Sequence, residues 1–122
     1  MGNIIVDKSK VFAIDIVNIY RQLTTEGKEF ILSKQLLRSG TSIGANVAEA
    51  VRGQTKADFR AKMNIALKEA SETEYWLALL KETNYLSLTD YEHLNNSCNE
   101  LIRLLVSITK NSEKIKKKNP KN

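Results

Sequence analysis

Apolar side chains return every three or four positions along most of the chain and rarely alternate, a pattern that predicts helices rather than strands. Phe12, Ile16, Ile19 and Leu23 are separated by Asp15, Asn18, Arg21 and Gln22, so about 9–25 reads as one amphipathic helix. Gly27 supplies its stop. A second helix, about 29–53, carries one stripe of Phe30, Leu37, Gly40, Gly44, Val47 and Val51 and another of Leu32, Leu36, Ile43 and Ala50. Two stripes require cover on two sides. Thr55 with Asp58 makes a variant capping box that opens a third helix, in which Phe59, Met63, Ala66, Ala70, Thr73, Leu77 and Leu80 mark the core face to about Asn84. Thr89 with Glu92 forms a second box, followed at heptad spacing by Tyr91, Leu94, Cys98, Leu101, Leu105 and Ile108. The phase continues through Ser112 to Ile115, which carries the C-terminal lysines beyond the bundle until Pro120.

Short joints at about 26–28, 54 and 85–88 force successive helices to run antiparallel. The expected fold is all-α, an up-down-up-down four-helix bundle over 1–109, with a basic extension, 110–122, continuing helix four. Tyr75 and Trp76 lie beside the core stripe of helix three, and Ile102 and Val106 lie off the main stripe of helix four. That extra apolar area points to self-association, with a wide core-facing stripe accounting for some of it.

Composition narrows the functional classes. The 122 residues suffice for one core, and the single cysteine cannot form an intramolecular disulfide. One histidine removes most metal and acid–base sites, which usually recruit several imidazoles. An enzyme is therefore disfavoured, with no cofactor, metal or small-molecule substrate expected. No apolar run is long enough to span a membrane, and the start, 1–10, lacks a signal-peptide core, so the expected location is cytoplasmic.

Charge is segregated. Six lysines against Glu113 give residues 110–122 the whole net charge of +5, leaving the preceding 109 residues neutral. Within that body, 34–68 reaches +5 and 69–109 falls to −5. Such separation fits either a molecule with a basic and an acidic face or a set of solvated helix faces. Arg52, Lys56 and Arg60 recur at four-residue steps across the joint between helices two and three, with Arg38 upstream. Cations so placed suit a phosphate backbone, bound electrostatically and with little sequence preference. Aromatic interleaving for unpaired bases is thin, because Phe59 belongs to the core stripe.

Other constellations read more plainly. The run from Arg38 to Ala50 places Gly40, Gly44 and Ala48 one turn apart, which lets a neighbouring helix approach closely. Two interior glycines cost about 1 kcal/mol each against alanine, so close packing must offset them. As a phosphate loop the run fails, since Ala45-Asn46 follow the second glycine where Lys-Ser/Thr is needed. A di-iron bundle needs two Glu-x-x-His motifs, whereas Asp90-x-x-His93 occurs once. No arginine stands four to six residues before His93, as helical nucleotide-binding ribonucleases require. His93 reads as an exposed helix residue and Cys98 as a small core hydrophobe. Glu69, Glu72 and Glu74 read as a solvated or ion-paired stripe, with Lys68 or Lys62 as partners. Asn46 and Glu49, on an otherwise small and apolar helix, must find partners across the bundle or a subunit interface if partly buried.

Three blocks, 30–50 (FILSKQLLRSGTSIGANVAEA), 56–59 (KADF) and 66–77 (ALKEASETEYWL), resemble the four-helix-bundle proteins of the 23S rRNA intervening-sequence family. More distantly they resemble the accessory variability protein of diversity-generating retroelements. The resemblance runs from about Phe12 to Ile108. It implies a bacterial antiparallel bundle, a ring-like homopentamer and no established catalytic activity. The family's name records genes lying inside ribosomal RNA insertions rather than a biochemical role. The retroelement relatives form basic pentamers that engage a reverse transcriptase and nucleic acid.

The leading expectation is a non-enzymatic oligomer that binds RNA or a ribonucleoprotein through Arg38, Arg52, Lys56, Arg60, Lys116, Lys117 and Lys118. Gly40, Gly44, Asn46, Glu49, Tyr75 and Trp76 would build packing and interfaces. The rival expectation is a protein-interaction scaffold that has no use for nucleic acid.

Overall fold

The computed structural model describes the backbone of residues 3–118 and the side chains of residues 4–111. Four helices follow in chain order, α1 (Asn3–Thr25), α2 (Leu32–Val51), α3 (Lys56–Glu82) and α4 (Leu88–Lys118), with no strand among the described residues. Cross-helix pairs give their directions. Lys8 meets Glu100 and Asp15 meets His93, so α1 and α4 run antiparallel. Arg38 reaches Glu69 and Glu72, while Glu49 reaches Lys62, which sets α2 against α3 in the same sense. Cys98 donates to the Ala70 carbonyl and Lys81 lies over the Tyr91 ring, which does so for α3 and α4. Among the described residues the backbone of each helix approaches those of its two neighbours, and neither diagonal pair comes within 8 Å Cα to Cα.

The heptad stripes become the core. Phe12, Ile16, Ile19 and Leu23 of α1 face Leu36, Ile43, Val47 and Ala50 of α2, Met63, Ala66, Ala70, Leu77 and Leu80 of α3, and Leu94, Cys98, Leu101 and Leu105 of α4. Of the two stripes expected on α2, the one through Leu36, Ile43 and Ala50 is buried, together with Gly40 and Val47 from the other. Phe30 and Val51, assigned to a core stripe, are instead exposed, because Phe30 precedes the helix and Val51 is its last residue.

Gly40 and Gly44 set the distance between α1 and α2. A Cβ on Gly40 would stand 2.9 Å from Ile16 Cγ1 and 3.0 Å from its Cγ2. These are the stiff inner atoms of a β-branched side chain, which cannot swing aside. A Cβ on Gly44 would lie 3.3 Å from the Ser9 carbonyl. Gly40 and Gly44 are thus taken up within the chain, while Ala48, the third small residue of the series, is exposed. On the other flank of α2, Thr73 Oγ1 lies 2.9 Å from Ser39 Oγ and 2.8 Å from the Glu69 carbonyl, a buried polar contact that fixes the register with α3.

Helix ends depart from expectation in ways that local hydrogen bonds explain. α1 begins near Asn3 rather than residue 9, since Ile5 and Ser9 extend its buried face by two turns. At its other end Lys28, not Gly27, takes the left-handed conformation, with φ 55°. Gly27 is needed for space, its Cβ position being 2.8 Å from the Leu23 carbonyl. α2 starts at Leu32 because the buried Glu29 carboxylate accepts from the backbone N–H groups of Ile31, Leu32 and Ser33, at 3.2, 3.0 and 2.7 Å. Ser33 Oγ donates in return to the Glu29 carbonyl at 2.7 Å. Thr55 does cap α3, accepting from Asp58 N–H at 3.0 Å. For α4 the cap is Ser87 rather than Thr89, with Ser87 Oγ accepting from Asp90 N–H at 3.1 Å.

Burial raises the Glu29 carboxyl pKa, but the backbone donors of Leu32, Ser33 and Ile31 outweigh it and hold the group below the ordinary carboxylate value. A carboxylate depressed in the folded state adds stability above its unfolded pKa, near 4.3, and that stability is lost as pH falls through the lower folded value. Glu29→Ala should therefore cost about 0.5–2 kcal/mol at neutral pH, the range for a lost helix cap. In urea titrations its difference from wild type should shrink as pH falls below about 4, and a pH-independent difference would refute the cap assignment. Gly40→Ala should destabilise by about 1–3 kcal/mol despite alanine's better helix propensity, because the added methyl meets Ile16. Gly44→Ala should lie close to neutral, and thermal melts of the two variants measure the contrast.

Candidate nucleic-acid interface

The α2–α3 connection is only Arg52 to Thr55. Arg52 N–H donates to the Glu49 carbonyl at 3.2 Å and Gly53 N–H to that of Ala50 at 3.1 Å, which closes α2. A Cβ on Gly53 would lie 3.2 Å from both the Ala50 carbonyl and Asp58 Cβ, so the chain turns in the least space available. Thr55 then opens α3 at Lys56. Helix, turn and helix thereby hold Arg52, Lys56 and Arg60 around one corner of the bundle. Arg52 and Lys56 are exposed and Arg60 is half-exposed, and none of the three makes an ion pair among the described residues. The nearby carboxylates are Asp58, in the first turn of α3, and Glu49, which is 2.8 Å from Lys62 Nζ.

Arg38 stands apart. It lies on α2 about 20 Å along the axis from Arg52, at 1.5 Å per residue. Its guanidinium is already engaged, with Nη1 3.2 Å from Glu69 Oε1 and Nη2 bonded to Glu72 Oε2. Glu72 Oε2 also accepts from Trp76 Nε1 at 3.0 Å. Glu69 and Glu72 are thus ion-paired, but by Arg38 rather than by Lys68 or Lys62, while Glu74 makes no ion pair among the described residues. The side chains of Lys116, Lys117 and Lys118 lie outside the described residues; the α4 backbone is helical to Lys118.

The residues expected at interfaces divide. Gly40 and Gly44 pack α1 on α2, and Asn46 Nδ2 donates to the Ser42 carbonyl of its own helix at 2.8 Å. Glu49 is exposed and finds Lys62 across the bundle. Trp76 is half-buried against the core, while Tyr75 is exposed and meets the Trp76 ring edge-on, with centroids 5.1 Å apart. Two apolar surfaces escaped the sequence reading. Ile4, Val11 and Ile14 form a stripe on the solvent side of α1, and Phe30, Ile31, Tyr85 and Leu88 are exposed at the end of the bundle where the first and third connections meet. The α1 stripe follows three- and four-residue spacing through Asp7, whose charge hides it from a pattern search.

Other chemistry is sparse. A cleft of about 200 Å³ between α1 and α4 is lined by Asp15, Asn18, Gln22, Asp90 and His93 over Ile19 and Leu94. Exposed His93 Nε2 lies 3.3 Å from Asp15 Oδ2. Among the described residues, no three His, Cys, Asp or Glu side chains are grouped to hold a metal ion, and no helix is long and apolar enough to cross a membrane. Burial, reinforced by the charge of Glu74, pushes the Cys98 thiol up to about 12.

These features define an antiparallel four-helix bundle with a cationic corner. Residues 2–107 match the family model of the 23S rRNA-intervening sequence protein, and the chain belongs to that family. Its fold is also that of a crystallised protein of unknown function, of the S23 ribosomal protein family, from Bacteroides thetaiotaomicron VPI-5482. The two are 57% identical, with a TM-score of 0.88 over 89% of this chain and 97% of that one. No curated protein matches.

Cys98 should resist thiol reagents at pH 8 in the folded protein and react at the rate of unfolding, since the thiolate is the reactive species. Rapid labelling of native protein, followed by absorbance, would contradict its place in the core.

Proposed function

We propose that this protein is a non-enzymatic, oligomeric bundle of the bacterial cytoplasm that binds RNA, or RNA within a ribonucleoprotein, through sequence-tolerant phosphate contacts. The observation that carries this reading is the corner formed by Arg52, Lys56 and Arg60, where three cations lack carboxylate partners among the described residues. Elsewhere Lys8, Arg38 and Lys62 are each engaged by a glutamate, and Lys10, Arg21, Lys28, Lys34, Lys68 and Arg103 are unpaired among the described residues as well. What sets the corner apart is that three such cations are gathered within one short turn and the first turns of α3. The lysine run of residues 110–118 adds charge at the same end, where α4 finishes and α3 starts. Resemblance to the family suggests a homopentamer, and the uncovered apolar stripe of Ile4, Val11 and Ile14 supports association between copies. Oligomerisation would repeat the corner and give weak contacts the avidity that a single copy lacks.

A second reading, a protein-interaction scaffold, is favoured by the exposed Phe30, Ile31, Tyr85 and Leu88 at the opposite end. Affinity for a structured RNA across a salt series, comparing the whole chain with one ending at Thr109, separates the two. A salt dependence that truncation lowers, by the loss of Lys110 and the lysines after it, but does not abolish is the expected result, and Arg52→Glu with Lys56→Glu should weaken binding uniformly across RNA sequences. No binding at low salt would leave the scaffold reading in its place.

A further inference from the structure

We infer that the cations form one strip along the seam between α3 and α4, and that this strip fits the backbone of double-stranded RNA rather than an unpaired strand. The inference rests on the phosphate-binding reading above and adds where the contact lies, which residue completes it and what form of RNA it takes.

Register supplies the geometry. Arg60, Leu67, Glu74 and Lys81 follow one another at seven-residue steps and so share one side of α3. That side faces α4, because Lys81 lies over the Tyr91 ring. Cys98 sits opposite Ala70 and Tyr91 opposite Lys81, so each step down α4 matches a step up α3, and Lys110 falls level with Arg60. Lys110 is exposed, and no ion pair engages it among the described residues. Lys56, one turn before Arg60, prolongs the strip to the end of the bundle.

α4 then continues past its neighbours. The pairs Lys8 with Glu100 and Asp15 with His93 bring the start of α1 level with about residue 105, and the register with α3 brings Lys56 level with about residue 114, so the helix runs on to Lys118 by roughly 20 Å past α1 and roughly 6 Å past α3. Cations held on two rigid antiparallel helices suit a regular phosphate array. Single strands are captured instead by aromatic platforms that stack on bases. Exposed Phe30 and Tyr85 lie at the other end of the bundle, exposed Tyr75 stands roughly 22 Å along α3 from Arg60, Tyr91 lies under Lys81, and Phe59, the aromatic in the first turn of α3, is packed against the core. A-form duplexes are recognised by shape and backbone contacts, which this strip can supply without reading bases.

Fluorescence-anisotropy titration of the full-length protein with a short perfect RNA duplex, and with either of its strands, tests this at several salt concentrations. Wild type should prefer the duplex. The triple variant Lys56→Glu, Arg60→Glu, Lys110→Glu should lose about tenfold or more in affinity, and the salt slope should fall by about two to three as those phosphate contacts go. Lys34→Gln should leave both unchanged, since that exposed lysine stands near the start of α2, at the opposite end of the bundle. Circular dichroism checks folding, and glutamine replacements at the three sites serve if charge reversal lowers helicity. Wild-type binding that the triple variant retains, or a preference for the single strand, would overturn the inference alone. Binding of neither RNA by wild type would overturn the phosphate-binding reading beneath it.

Discussion

α2 has to touch two helices at once, and the rest of the bundle is arranged around how it does so. Toward α1 it presents Gly40 and Gly44, whose missing side chains admit Ile16 and the Ser9 backbone. Toward α3 it presents Ser39 to Thr73 in the interior and Arg38 to Glu69 and Glu72 at the rim. The glycine flank gives closeness without direction, because smooth backbone surfaces can slide past one another. The polar flank gives register, since a buried hydroxyl displaced by one residue would lose its partner. Gly40 sacrifices helix propensity to permit a dispersion contact with Ile16 that a larger residue would disturb.

That register decides which charges are spent inside the molecule and which remain available. Arg38 and Lys62 lie opposite glutamates of the adjoining helix, and Lys8 does so across the other seam. These exposed pairs contribute little to stability individually, but they remove cations from the surface field. Arg52 lies in the turn and Lys56 and Arg60 in the first turns of α3, and no ion pair engages them among the described residues. Three unpaired cations are thereby gathered at one end of the bundle. The opposite end, where the other two connections lie, exposes Phe30, Ile31, Tyr85 and Leu88 instead.

The core was legible in the sequence because helical burial is periodic. The stripes from Phe12 to Leu23, from Met63 to Leu80 and from Leu94 to Leu105 could be read from spacing alone and are buried. Errors gathered where periodicity loses its force. Ile4, Ile5 and Val6 are consecutive and conceal the phase that carries α1 to its start. Phe30 and Val51 fit the period of α2 but lie at or beyond its ends. Glu29 caps α2 through a buried carboxylate, a role that residue identity alone does not announce, whereas the Thr55 to Asp58 spacing did signal its cap.

Hydrophobic spacing and short joints by themselves determined an all-α antiparallel bundle, since no other arrangement buries four such stripes with so few connecting residues. They also marked Gly40 and Gly44 as a place of close approach and Cys98 as core. Only the tertiary structure decided what each polar group does. Whether a cation is free depends on what stands across a helix–helix seam, and residues in contact there, such as Arg38 and Glu72, are far apart in the chain. A linear pattern records which face a residue occupies; its partner is set by register, which exists only once the helices are packed.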